Sequence, residues 1–120
     1  MSDSRFPRSV FGVGNDPDPR FTLANERTFL AWIRTSLALI AGGVALEAFD
    51  VPLPATLRAV VSAFMLVVAI VLPVVAWLQW KRAERALRQQ RPLPFSIAIP
   101  VLVGTIVVIA AVLLVGELLA

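Results

Sequence analysis

The sequence predicts an all-α membrane protein built from three transmembrane helices. Hydrophobic residues make up 58% of the 120 residues, and the mean hydropathy is +0.83, which is far above that of an ordinary soluble domain. Three apolar runs cover about 28–49, 57–80 and 95–118. Each run has the roughly 20 apolar residues that a helix needs to cross the hydrocarbon core of a bilayer.

The order of polar and apolar segments predicts one membrane domain preceded by a tail. Residues 1–17 are polar, contain glycine and proline, and show no helical or alternating period, so we expect a disordered cytoplasmic tail there. Residues 18–120 form the three-helix domain. Its first helix is expected to start either at Asp18, as a cap before Pro19, or one turn later at Thr22. The turn at 51–54 is too short for a domain, so the first two spans form an antiparallel hairpin.

Positive charges are distributed unequally between the two sides that the spans define. Nine Lys and Arg residues lie on one side and one lies on the other. The nine are Arg5, Arg8, Arg20, Arg27, Lys81, Arg82, Arg85, Arg88 and Arg91, and the single residue is Arg58. Because loops rich in Lys and Arg stay in the cytoplasm, this distribution predicts an N-in, C-out topology.

The start of the first span carries the candidate functional residues, which are Asn25, Glu26, Arg27 and Arg34. Residues seven apart lie nearly above one another on a helix, so the two arginines share one face. Small residues continue that face at Ala38, Ala41, Ala45 and Ala48. An arginine at the centre of a span costs about 2.5–3.5 kcal/mol on insertion scales, so a functional role is the default interpretation. Two placements of Arg34 stay open, one facing inward in a helical bundle and one extending back to the headgroups.

The basic segment after the second span has two interpretations. Its positive charge determines topology, and Lys81, Arg82, Arg85 and Arg88 can in addition contact anionic lipid. Glu84 and Arg88 have the spacing of a helical ion pair.

The composition excludes several classes of function. The chain has no cysteine, histidine or tyrosine, and it shows neither a set of catalytic residues nor a glycine loop that binds phosphate. We therefore expect no enzyme activity, no cofactor and no metal site. The high computed pI of about 11.1 is explained by membrane topology, so no nucleic-acid partner is expected.

One stretch of the first helix resembles a known family. The sequence Asp18-Pro19-Arg20 followed by LANERTFLAWIRT at 23–35 resembles the signature of the YidH-like membrane proteins, the domain of unknown function number 202. This resemblance implies a bacterial inner membrane location. The same domain is similar to the membrane part of the vacuolar transporter chaperone complex, in which a ring of membrane domains lines a polyanion path with basic residues. The resemblance thus implies a homo-oligomeric bundle, with a pentamer as the expected number.

Two functions follow as hypotheses. In the first, an oligomer forms a gated pathway for anions such as phosphate or polyphosphate, with Glu26, Arg27, Arg34 and Asn25 as a network at its arginine-lined cytoplasmic mouth. In this network we expect Glu26 to pair with Arg27 or Arg34, either in the same chain or from a neighbouring subunit. In the second, the protein is a non-conducting assembly or scaffold subunit that binds anionic lipid or a partner membrane protein. The chain lacks the soluble polymerase and phosphate-sensing domains of the chaperone complex, so polyphosphate synthesis does not carry over.

Overall fold

A computed structural model describes residues 5–119, which form four helices. They are α1 (Arg8–Phe11), α2 (Pro19–Ala48), α3 (Ala55–Arg88) and α4 (Ala98–Leu118). Of the helices in this range, α2, α3 and α4 are long and apolar enough to cross a membrane. The predicted all-helical fold with three membrane-spanning helices is therefore confirmed.

The first long helix starts at the earlier of the two predicted positions. Asp18 is its N-cap, and the Oδ1 atom of Asp18 accepts a hydrogen bond from the backbone N–H of Arg20 at 2.9 Å. Pro19 occupies the first helical position, where its missing N–H is not needed. Two and a half turns of α2 consequently precede the apolar run, and they carry Thr22, Asn25 and Glu26.

The second long helix continues past its apolar run. It passes through Pro73 and on to Arg88 without interruption, so the basic segment belongs to the same helix as the second span. At 1.5 Å per residue, its 34 residues measure about 51 Å. The hydrocarbon core is about 30 Å thick, so the basic turns of α3 extend beyond it.

The helix α3 lies between the other two and holds most of the core. The buried core residues Leu39, Val68, Ala69, Leu72 and Ala98 come from all three long helices. Against α2 the approach is close at Gly43, where the hydroxyl of Ser62 donates a buried hydrogen bond to the Gly43 carbonyl at 2.7 Å. Against α4, Gly116 lies beside Leu57. The faces of α2 and α4 that point away from α3 are largely uncovered.

The N-terminal residues have a defined course that differs from the predicted disordered tail. Residues 5–17, here called the N-terminal strap, contain α1 and lie against the last turns of α3. The strap is ordered because α3 offers it hydrogen-bond donors and an aromatic surface. The strap has no helical or alternating apolar period of its own that would indicate this order. Residues 1–4 of the predicted tail lie outside the described residues.

The close approach of α2 and α3 gives a test of the packing. A Cβ atom at Gly43 would lie 3.1 Å from the Leu66 side chain and 3.2 Å from the Ser62 carbonyl, whereas one at Gly104 would meet nothing within 4 Å. We expect Gly43→Ala to lower the unfolding temperature in detergent, because overpacking costs about 1–3 kcal/mol. The matched control Gly104→Ala should leave this temperature unchanged or raise it, since alanine favours helix by about 1 kcal/mol. Equal effects of the two substitutions would contradict this packing.

Candidate functional site

The predicted network of four residues is divided between two faces of α2. Asn25 is half-buried and points to α3, whereas Glu26, Arg27 and Arg34 are exposed on the other side. Since α3 covers Trp32, Ser36, Leu39 and Gly43 further along, the arginines lie on the face of α2 opposite α3. The structure thus joins Arg27 and Arg34 in one stripe, as the spacing predicts, but separates Asn25 from them.

Asn25 belongs to a polar cluster between α2 and α3. Its side-chain amide donates to the backbone carbonyl of Trp80 at 3.1 Å and to Oε1 of Glu84 at 3.3 Å. The hydroxyl of Thr22 donates to Oε2 of the same carboxylate at 3.4 Å. Glu84 is only 1% exposed, and a buried carboxylate without hydrogen-bond donors would be costly. The cluster therefore fixes how the start of α2 sits on the end of α3.

The outward face of α2 has no partner within the described part of the chain. The side chains of Glu26, Arg27 and Arg34 form neither a hydrogen bond nor an ion pair with any other residue of 5–119. Below Arg34, the small residues Ala38, Ala41 and Ala48 are exposed and Ala45 is half-buried. Within residues 5–119 of a single chain, the predicted pairing of Glu26 with an arginine is consequently absent. A pairing between chains stays a prediction.

Arg88 connects the end of α3 to the N-terminal strap. Its guanidinium donates to the carbonyls of Val13 at 2.8 Å and Phe11 at 3.1 Å, and to Oδ1 of Asp16 at 2.5 Å. The backbone carbonyl of Arg88 accepts from the N–H of Asn15 at 3.0 Å. Gly14 sits directly on this carbonyl with a φ of 61°, and both the left-handed backbone and the close approach require a residue without Cβ.

The four residues predicted to contact anionic lipid do not act as one surface. Arg88 is 6% exposed and is held by the strap, so its predicted lipid contact does not fit this placement. Arg88 also does not form the predicted ion pair with Glu84. Within the described residues, the carboxylate that pairs with Arg88 is that of Asp16. Arg82 and Arg85 are exposed and Lys81 is half-buried. The charge run alone gave no signal of which arginine would be covered.

Comparison with known proteins identifies the family. The family model described as "Domain of unknown function (DUF202)" matches residues 20–86. The chain belongs to this family. The matched region of this DUF202 member contains the Asn25–Glu84 cluster and the arginine stripe of α2, and it ends before α4 begins.

Individual relatives agree with this membership. The inner membrane protein YidH of Escherichia coli K12 is 38% identical over 109 residues, which cover 89% of this chain and 93% of YidH. An uncharacterized protein of Mycobacterium tuberculosis is 46% identical over 81 residues, or 66% of each chain. No solved structure matches the chain significantly. The predicted YidH-like family and inner membrane location are thereby confirmed, together with the three apolar helices.

The polar cluster predicts that Asn25 stabilises the helix hairpin. The substitution Asn25→Ala leaves Oε1 of the buried Glu84 without its donor, and such a loss costs about 1–3 kcal/mol, or more where a charged group is involved. We therefore expect a lower unfolding temperature in detergent, measured by circular dichroism. The matched control is Thr28→Ala, one turn further on and exposed, which should change stability by less than about 0.5 kcal/mol. An unchanged transition in Asn25→Ala would mean that the cluster does not hold the two helices.

The strap should respond to acid through Asp16. The guanidinium groups of Arg5 and Arg88 hold the pKa of the Asp16 carboxyl below its ordinary value of 3.8. A lowered pKa means that this carboxylate stabilises the strap fully above pH 3.8 and that the effect is lost as the pH falls through the lowered pKa. Hydrogen exchange of the α1 amides should therefore accelerate at that pH, beyond the change in intrinsic rate.

The control for this titration is Asp16→Asn. Its α1 amides should exchange faster than those of the parent at neutral pH, and they should show no further step in the acid range. A step of the same size in both proteins would assign the titration to another carboxyl group.

Proposed function

We propose that this protein assembles in the membrane as a homo-oligomer whose α2 helices surround a gated anion pathway. The arginine stripe of Arg27 and Arg34 lines its mouth. The observation that carries the proposal is this stripe, exposed on the face of α2 opposite α3 and without a partner in the described part of the chain. The charge distribution along the sequence supports a cytoplasmic location for the mouth.

The energetic argument concerns Arg34. It lies about 9 Å beyond Thr28, where the apolar run begins, at 1.5 Å per residue. A guanidinium that faced lipid at this depth would cost part of the 2.5–3.5 kcal/mol found at the centre of a span. A second copy of α2, or a water-filled path between copies, removes this cost. Assembly through this face is therefore favoured over exposure to lipid.

The surface below Arg34 permits close approach of helices. Ala38, Ala41 and Ala48 have small side chains and are exposed, and small residues let the backbones of membrane helices come near one another. A single chain of three helices cannot enclose a pore, so the pathway requires several copies. The pentamer expected from the family resemblance belongs to the proposal.

Electrostatics favours anions at the mouth. In an oligomer, Arg27 and Arg34 form two rings separated by about 10 Å along the helix axis. Rings of positive charge between walls of low dielectric constant attract and select anions such as phosphate and its polymers. The alanine strip beyond the rings is apolar and forms a dry constriction at rest. The pathway is consequently closed until it is gated.

A scaffold without conduction is the second candidate, and Glu26 favours it. Glu26 is exposed about 100° around the helix from Arg27, so it can pair with an arginine of a neighbouring copy. Such pairs would hold subunits together, and a partner membrane protein or an anionic lipid could occupy the same face.

Flux through proteoliposomes separates the two candidates. The oligomeric state of the parent is first measured by native mass spectrometry. Ala41→Ser introduces a hydroxyl into the apolar strip and should raise phosphate and tripolyphosphate flux, because it favours water in the constriction. Adding Arg34→Ala to this variant should lower the anion flux again, by tenfold or more. The matched control is Leu78→Ala in the same Ala41→Ser background, because Leu78 lies on an exposed face of α3.

The outcomes are distinct. A monomer in the membrane would contradict both the pathway and the self-assembled scaffold. An intact oligomer that passes no anion in any variant, with Arg34→Ala changing only assembly, would support the scaffold.

A further inference from the structure

A second group of arginines lies at the C-terminal end of α3, outside the arginine stripe of α2. Arg82, Arg85 and Gln89 follow one another at spacings of three and four residues, so they share one face of the helix. A shallow pocket of about 180 Å³ lies on this face, lined by these three side chains together with Arg91, Pro92 and Pro94. Three arginines therefore line this one pocket, although the guanidinium of Arg85 also contacts the N-terminal strap.

The backbone turn after α3 puts Arg91 into this pocket. Gln90 has a φ of 54°, its N–H donates to the Leu87 carbonyl at 3.3 Å, and the N–H of Arg91 donates to the Ala86 carbonyl at 2.8 Å. These bonds are those of a Schellman motif, which ends a helix and turns the chain back over its last turn. The side chain of Gln79 donates to the Pro94 carbonyl at 3.3 Å and fixes the exit. Arg91 is thus positioned by the turn.

The charges of the pocket are not balanced by the residues that line it. The side chains of Arg82 and Arg91 make no hydrogen bond or ion pair with any other residue between 5 and 119, and the side chain of Arg85 donates to the Ser9 carbonyl at 2.9 Å. Among residues 5–119, no carboxylate lines the pocket. The C-terminus of a helix carries about half a negative charge, which attracts these arginines but falls well short of three positive charges. The pocket consequently attracts an anion.

The position of the pocket along α3 indicates the depth in the membrane at which an anion would reach it. The rings of Trp77 and Trp80 stack with centroids 5.3 Å apart, and tryptophan marks the boundary between hydrocarbon and headgroups. The pocket begins directly after them and ends at the connection to α4, so it lies at the level of the headgroups and the adjacent water.

We propose that this pocket binds a phosphate-type anion. Guanidinium groups suit this chemistry, because their planar fork donates two parallel hydrogen bonds to phosphate oxygens. The phosphate group can belong to an anionic phospholipid or to soluble phosphate chains, since both present the same oxygens. The site is separate from the mouth formed by Arg27 and Arg34, and it does not depend on conduction.

Native mass spectrometry of the full chain in neutral detergent tests the proposal. Phosphatidylglycerol, phosphatidylcholine and tripolyphosphate are titrated separately. For at least one of the two anionic probes, we expect Arg82→Gln combined with Arg91→Gln to weaken binding about 30-fold, at about fivefold for each arginine near a membrane surface. The charge-matched control, Arg8→Gln combined with Arg20→Gln, should change it by less than threefold. Replacing Arg82 and Arg91 by lysine should give an intermediate affinity, because the charge remains and the fork is lost.

The two sources of phosphate are separated by the probes. Loss of phosphatidylglycerol binding alone assigns the site to lipid, and loss of tripolyphosphate binding alone assigns it to a soluble anion. Equal losses of binding in the pocket variant and in the charge-matched control would overturn the proposal. An unchanged affinity of the pocket variant would also overturn it. So would phosphatidylcholine binding that is as tight as the binding of both anionic probes. Circular dichroism checks folding. If the double variant does not fold, Arg91→Gln alone lies outside α3 and gives the same test, with Arg8→Gln as its control.

Discussion

The contact of Asn25 with the last turns of α3 fixes the rotation of α2 about its own axis. Its amide bridges the Trp80 carbonyl and the Glu84 carboxylate, and a rotation of α2 away from these acceptors would leave the buried carboxylate without this donor. Once this rotation is set, the arginine stripe must point away from the hairpin, because it lies on the opposite side of α2. The surface that the protein offers to other molecules in the membrane therefore depends on a polar contact between two of its own helices.

The same end of α3 also organises the N-terminal strap and the arginine pocket. Helical geometry directs Glu84 to α2, Arg88 to the strap and Arg82 to the pocket. Arg85 lies between the last two, because it lines the pocket and its guanidinium donates to Ser9 of the strap. Successive residues of one short basic segment consequently serve three different contacts. This division explains why the positive charge of the segment cannot be treated as a single surface.

The parts of the structure that depend on local pattern could be predicted from the sequence, and the parts that depend on distant partners could not. Asp18 and Pro19 specify the helix start through their own chemistry, and the spacing of Arg27 and Arg34 places them on one face. The sequence alone groups Asn25 with its charged neighbours, because its partner is 59 residues away in the sequence. The sequence also gives no indication of the course of the strap, since its contacts come from Arg88, which lies more than 70 residues further along the chain. The pocket depends on the positive φ of Gln90, for which a glutamine gives no signal.

The helix α4 makes fewer specific contacts with the rest of the protein than α2 and α3 make with each other. It carries apolar side chains on all sides and most of them are exposed, and a Cβ atom at Gly104 would meet nothing within 4 Å among residues 5–119. A helix solvated mainly by lipid must be hydrophobic, but few of its positions need a particular residue. The identity of each apolar residue in α4 is therefore only weakly constrained by packing, whereas the residues of the hairpin are restricted by specific contacts.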